Sequence, residues 1–404
     1  MENKAILSKL PPMLSGKQLD EALEVLPEWN PDCRSLGQAQ RLIALSDLYH
    51  AFIPNHMTRE IYTKLYLALL RSLQKKQGKE HILQAYSNYQ RDFCGIVGGA
   101  DSFTIIGASG IGKSTSISHA VQLLSAEKVI SVEEPHTKII PCVVVQCPFD
   151  SSVKGLLLEI LRVVDDVLGS SYYPKASSIR ATTDMLIGTV SQVAINHIGI
   201  LIVDEIQNVV ISKNGRNLLG VLLQLINCSG ISICMVGTPE CTEFFTQAMQ
   251  LARRSLGLEY QAMAYDGEFI RLCKTFLKYQ YVQNPMEEET AIIPWLFEHS
   301  GGNISTVVTL LHDAQEIAIL DGSEELTLQV LTLAYQCRVK MLHSFIQPTK
   351  KPQTKRMCQR RFDLPATREP DDFSIYQAAQ QAKKGGKDVL SLLRKSITIE
   401  EVAV

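Results

Sequence analysis

The stretch FTIIGASGIGKST, from Phe103 to Thr115, joins a short apolar run to a glycine-rich turn and then to a lysine and two hydroxyls. Gly107 to Ser114 satisfy G-x-x-x-x-G-K-[ST] without a gap. The glycines let the backbone curl so that several N–H groups point inward, and a following helix adds the positive end of its dipole. Lys113 is then placed to reach the β and γ phosphates of a nucleotide, and Ser114 to offer a hydroxyl to Mg²⁺. Gly107, Ser109, Gly110, Gly112, Lys113, Ser114 and Thr115 are the expected nucleotide contacts. A glycine turn that binds nothing can match by chance. Here an apolar strand precedes the motif and a helical stretch, STSISHAVQLLSA, follows it, which is the context phosphate binding needs.

A site of this kind needs an acidic element as well. The run Ile198-Gly199-Ile200-Leu201-Ile202-Val203 ends in Asp204 and Glu205. An apolar strand delivers both carboxylates at its carboxyl end, the edge where ligands bind in open α/β sheets. Asp204 suits Mg²⁺, and Glu205 is the natural general base for an attacking water. That pair favours ATP hydrolysis over small-molecule phosphorylation.

The apolar run Ile231 to Gly237 ends in Thr238-Pro239-Glu240. If this strand lies between the two above, Thr238 sits near the γ-phosphate and can sense it or hold the lytic water. Its hydroxyl can also cap the next helix. Arg253 and Arg254 then follow a helical stretch and precede LEYQAMAY. Ring-forming ATPases present an arginine from such a place to the neighbouring subunit, where it stabilises transition-state charge. Spacing does not separate the two, although Arg254 is slightly favoured.

Around this centre the chain changes character. Its 404 residues predict two or three domains, and 46% hydrophobic with 20% charged residues is ordinary for a globular protein. A net charge of -2 excludes polyanion binding by bulk charge, so any nucleic-acid contact must be local. The ten cysteines include no Cys-x-x-Cys pair, and Cys142, Cys147, Cys228 and Cys234 lie in or beside apolar runs. No apolar stretch is long enough for a signal peptide or a bilayer span, so a cytoplasmic protein without membrane contact is expected.

Residues 1–95 read as helical. LGQAQRLIALSDLYHAF is broken by Pro54 and Asn55, and Thr58 is placed to cap a second helix with Ile61, Leu65, Leu69 and Leu73 along one side. Residues 96–266 alternate strands and helices; SFTIIG, IIPCVVVQC, IGILIVD and ISICMVG are continuous apolar runs, the mark of a parallel sheet covered on both faces. Residues 267–345 are helical again, with starts expected at Gly302-Asn303 and near Thr327. Residues 346–404 begin as a proline-rich basic arm, with six basic and no acidic residues between Lys350 and Arg361, and end in an amphipathic docking segment.

The order of these pieces resembles an AAA+ ATPase. More narrowly, FTIIGASGIGKST, ILIVDEIQNV and MVGTPE resemble the TnsC/TniB family of transposition regulators, over roughly residues 40 to 345 by element order. The resemblance implies an α/β P-loop fold with a parallel five-stranded sheet, an N-terminal helical extension and a C-terminal helical lid. It implies ATP and Mg²⁺ as cofactors, and bacterial subunits that form a ring or helical filament on double-stranded DNA and come apart on hydrolysis. Implied partners are a TnsB-type transposase, a TnsA-type endonuclease and a TniQ/TnsD-type target selector, of which a CRISPR-guided selector is one form. Length and the N-terminal helices look more like TnsC than a minimal TniB protein. The sequence departs from related initiator ATPases in one place. Those carry an arginine in the lid after a glycine, whereas Gly301 to Thr306 hold none, leaving lid contacts expected at base or ribose only.

DNA gripped at its phosphates costs no sequence readout. Lys154 is the inner-face candidate for that contact, followed by Lys175 and Arg180. A second reading is a signalling ATPase of the STAND type that gates protein partners without DNA. A third, a replication initiator, is disfavoured because no strand pair for a DNA-binding wing is visible. ATP-dependent retention on DNA separates the first two.

Overall fold

The apolar runs of the central region become strands because both of their faces are covered. Alternate residues of one strand enter two different cores: Ile200 and Ile202 face one way with Cys234 and Val236, and Leu201 and Val203 face the other with Ile233 and Met235. The computed structural model describes residues 6–87, 102–132, 137–177, 182–212, 215–242, 255–286 and 291–339. All of these lie in a compact unit, Met1–Thr349; a second unit, Lys350–Val404, falls wholly outside them, and with it the expected arm and docking segment.

The N-terminal part contributes α1 (Gly16–Leu23), α2 (Gln38–Ala44) and α3 (His56–Ser87). The central part runs β1 (Ser102–Gly107), α4 (Lys113–Leu124), β2 (Ile130–Val132), β3 (Thr137–Gln146), α5 (Val153–Leu168), α6 (Tyr172–Ala176) and α7 (Thr183–His197). It continues with β4 (Ile198–Asp204), α8 (Asn208–Ile211), α9 (Gly215–Ser229), β5 (Ser232–Gly237) and β6 (Ser255–Tyr260). Then come α10 (Gly267–Phe276), α11 (Ile292–Ser300), α12 (Ile304–Asp321) and α13 (Leu328–Ala334).

The sheet has the order β2-β3-β4-β5-β1-β6. Five strands are parallel, but the expected five-stranded sheet is in fact six-stranded, because β2 adds an antiparallel edge to β3 through Ile130↔Ile139 and Val132↔Thr137. Three residues are too few to show a strand period in the sequence. On one face lie α5, α7 and α9; on the other lie α3 and α4, with α1 behind them.

Helix α3 starts two residues before the expected cap. Asn55, not Thr58, is its first-turn acceptor: Asn55 Oδ1 takes the Thr58 N–H at 3.0 Å and the Thr58 hydroxyl at 3.1 Å. The expected stripe is present, with Ile61, Leu65, Leu69 and Leu73 fully buried against the sheet. Each is worth about 1.5–3 kcal/mol of burial. Asn303 and Thr327 cap α12 and α13, their side chains accepting from Thr306 and Val330.

The C-terminal helices form a third core that also takes Leu45, Leu48 and Ile53 from the N-terminal part. Arg41 fixes that junction. It is 2% exposed, donates to both Glu324 carboxylate oxygens at 2.5 Å, and donates to the Tyr281 carbonyl at 3.0 Å. The N-terminal segment thus packs on the sheet through α3 and on the C-terminal helices through α2.

Candidate active site

The parallel sheet gathers the carboxyl ends of β1, β5 and β4 side by side. β5 lies between the strand that leads into the phosphate loop and the strand that ends in Asp204, which is the arrangement Thr238 needs to stand near both. A cleft of about 380 Å³ opens at this edge. Its polar end is lined by Gly110 to Ser116, Asp204, Glu205, Gln207 and Thr238. Its apolar end is lined by Leu48, Phe52 and Ile53 from the N-terminal segment and by Leu272, Phe276 and Val308 from the lid. Size and gradation suit a ligand with one charged and one flat apolar end.

The phosphate loop runs from β1 into α4, with Gly112 at the helix N-cap. Lys113 is nearly buried, and its ammonium donates to the carbonyls of Gly107 at 2.6 Å and Ala108 at 2.8 Å. Burial lowers its pKa, opposed by the nearby carboxylates of Asp204, Glu205 and Glu240. The Ser114 hydroxyl donates to Asp204 Oδ2 at 2.7 Å. A hydroxyl and a carboxylate at hydrogen-bond distance are a hard-oxygen pair that fits Mg²⁺. Thr115 lines the cleft one residue on.

Glu205 follows β4 with its backbone in the left-handed region, φ 57°, and its N–H donates to Asp204 Oδ1 at 2.8 Å. Such a conformation is uncommon outside glycine and marks a site worth inspecting. Thr238 hydrogen-bonds the Glu240 carboxylate, which holds that group below its ordinary pKa. The expected sites are therefore brought together from three strands: the phosphate loop, Asp204 with Glu205, and Thr238.

Several site residues had no clear signal in the sequence. Gln207 donates from Nε2 to Glu205 Oε2. At the lid, Asn303 Nδ2 donates to the Ser109 carbonyl at 2.8 Å, and the Ser305 N–H donates to the Gly110 carbonyl at 3.0 Å. The C-terminal helical region thus reaches the phosphate loop through its own side chain and backbone. Gly110, at φ 81°, is where they meet: a Cβ there would stand 2.7 Å from Asn303 Oδ1. Thr58 Oγ1 and Ser116 Oγ, 3.0 Å apart, tie the start of α3 to the helix behind the loop, and Phe52 stacks on His119 of that helix at 3.9 Å. In the sequence the stretch Gly301–Thr306 signals a helix start and lacks an arginine, but nothing in it points to the phosphate loop.

Of the other expected residues, Lys154 and Lys175 stand apart from the cleft. Lys154 sits half-buried in the first turn of α5, on the sheet edge that carries Asp204. Lys175 is exposed on α6. That short helix packs beside the start of β4, where Tyr172 Oη and His197 Nε2 are 3.1 Å apart, so Lys175 lies at the opposite edge of the sheet. Arg180, Arg253 and Arg254 lie outside the described residues. No described helix is long and apolar enough to cross a membrane.

A family model described as an AAA domain matches residues 96–245. The fold is the AAA+ P-loop fold. Among solved structures, this chain is similar to the Aeropyrum pernix ORC1 protein in complex with DNA, with a TM-score of 0.43 and 16% identity over 59% of this chain and 60% of that one. It is similar to the Aeropyrum pernix ORC2 protein in its ADP form, with a TM-score of 0.44 and 16% identity over 81% and 79%. It is also similar to Drosophila ORC bound to DNA, with a TM-score of 0.46 and 13% identity over 98% and 87%. This chain spans less than two thirds of the ORC1 chain's length. No match was found among curated proteins.

Proposed function

We propose that this chain is an ATP-hydrolysing regulator of DNA transposition. It assembles as a ring or filament on duplex DNA and bridges a target selector to a transposase, and hydrolysis controls its release. The hydrolytic part is carried by one observation: β5 lies between β1 and β4, so Thr238 stands between the phosphate loop and Glu205. The transposition part is supported by the resemblance of FTIIGASGIGKST, ILIVDEIQNV and MVGTPE to TnsC/TniB proteins.

Residues 1–95 serve as the helical extension, 96–266 as the ATPase core, 267–345 as the lid and 346–404 as an arm for DNA or a partner. Lys113 and the loop N–H groups bind the nucleotide phosphates, and Ser114 and Asp204 hold Mg²⁺. When bound there, the metal would supply charge neutralisation for the phosphates. Glu205 takes a proton from the water that attacks the γ-phosphate, and the Thr238 hydroxyl orients that water. The apolar end of the cleft takes the base. Arg253 or Arg254 completes a neighbour's site, and Lys154, on the nucleotide edge, is the favoured DNA contact.

The test is electron microscopy with sedimentation, using ATP, ADP or a non-hydrolysable analogue, each with and without duplex DNA. Rings or filaments that need both ATP and DNA support this reading. Monomers throughout, or equal assembly without DNA, favour a signalling ATPase instead.

A further inference from the structure

Gln207 lies two residues beyond Glu205, in the turn after β4, and its side chain folds back. Nε2 donates to Glu205 Oε2. Oε1 is buried and, among the described residues, has no hydrogen-bond partner. It faces the last residue of β5, where a Cβ on Gly237 would stand 3.2 Å from Gln207 Oε1 and 2.7 Å from Ile206 Cγ2. The Ile206 N–H donates to the Val236 carbonyl at 2.9 Å, pinning the turn to the same strand. The carboxamide therefore spans from the Glu205 carboxylate to the strand tip that carries Thr238. Glycine at 237 leaves room for it.

The orientation of the amide follows from charge. With Oε1 turned to Glu205, two acceptors would face each other, whereas an N–H toward a carboxylate makes a charge-assisted hydrogen bond. Glu205 needs such a partner because its side chain is exposed and would otherwise sample several rotamers. One carboxylate oxygen is tied down and the other is left for a proton.

We infer that Gln207 is a positioning residue for hydrolysis, holding the Glu205 carboxylate in the rotamer that faces the attacking water. This rests on the reading of Glu205 as general base. Gln207 lines the polar end of the cleft, but it acts on the reaction through Glu205 and not on a reacting atom. Its loss lowers kcat and leaves the affinity for ATP alone.

The experiment compares steady-state turnover and equilibrium binding of a fluorescent ATP analogue for the wild type, Gln207→Met, Gln207→Ala, Glu205→Gln and the double variant Glu205→Gln/Gln207→Met. Methionine keeps the length and packing of Gln207 but removes the donor. Displacing a catalytic group by about 1 Å costs on the order of 10² in rate, so both Gln207 variants should lose about 10- to 100-fold in kcat. KM and analogue affinity should stay within about twofold. In the Glu205→Gln background, Gln207→Met should cause no further loss, because a residue acting through Glu205 has nothing left to position. Full activity in Gln207→Met beside a weakened Gln207→Ala would reduce Gln207 to packing and overturn the inference. An additive loss in the double variant, or a change confined to KM, would overturn it too. Normal turnover in Glu205→Gln is a different failure: it removes Glu205 as the base, and with it the reading on which this inference stands.

Discussion

The Ser114 hydroxyl donates to Asp204 Oδ2 across 2.7 Å, joining residues 90 positions apart in the chain. Neither motif alone defines a metal site. Their meeting follows from the parallel order β4-β5-β1, which sets the end of one strand one place away from the loop after another. Thr238 is carried by the strand between them. The residues proposed to hold phosphate, metal and water are thus carried by three adjacent strand ends on a sheet buried on both faces.

Lys113→Ala should abolish nucleotide binding and every ATP-dependent assembly. The ammonium is held between two loop carbonyls and leaves a buried position when truncated. Isothermal titration with ATP checks this; wild-type affinity in the variant would remove the loop from the site.

Thr238→Ala should separate binding from hydrolysis. Loss of one oriented hydroxyl is expected to lower kcat by about 10²-fold. ATP affinity should change by less than about threefold, since the hydroxyl stands beyond the phosphate loop. Initial-rate kinetics across ATP concentrations read out both.

Asn303→Ala should loosen the lid. It removes the hydrogen bond to the Ser109 carbonyl and the side-chain cap of α12, the second worth about 0.5–2 kcal/mol. Faster nucleotide release by stopped-flow fluorescence is the expected result. Asn303→Asp keeps an acceptor for the Thr306 N–H but has no amide donor. Release should therefore quicken in both variants, while only the alanine loses the cap.

The Arg41–Glu324 pair should make stability depend on acid. The hydrogen bond from Arg41 holds the Glu324 carboxyl below its ordinary pKa. A carboxyl lowered in the fold stabilises it above the unfolded value of about 4.3, and that stabilisation is lost as pH falls through the folded value. With Arg41 2% and Glu324 15% exposed, Glu324→Gln should cost about 3 kcal/mol near neutral pH. The gap between the variant and the wild type should hold from pH 7 to about 5 and shrink only as pH falls below about 4, as measured by denaturant midpoints across that range.

Much of this site was legible in the sequence because its signals are local. A glycine-rich turn after an apolar strand, and carboxylates or a threonine at strand ends, follow directly from short-range chemistry. The helix caps at Asn303 and Thr327 were legible for the same reason. The start of α3 was misread at Thr58 because Asn55, beside Pro54, looked like part of a break. β2 was missed because Ile130 to Val132 are too few to show a period. The contact between Asn303 and Ser109 joins residues 194 positions apart and has no sequence signal at all. Gln207 was overlooked because a glutamine in a turn ordinarily meets solvent, and only the room left by Gly237 turns it back toward Glu205.

Glu205 is proposed to act as base in a site that binds ATP without it. The direct measurement is single-turnover phosphate release by the wild type and Glu205→Gln, with bound ATP quantified in the same samples. Equal ATP binding, with release slowed by about 10²–10⁴-fold in the variant, is the expected result. Equal rates of release, or loss of ATP binding in the variant, would contradict it.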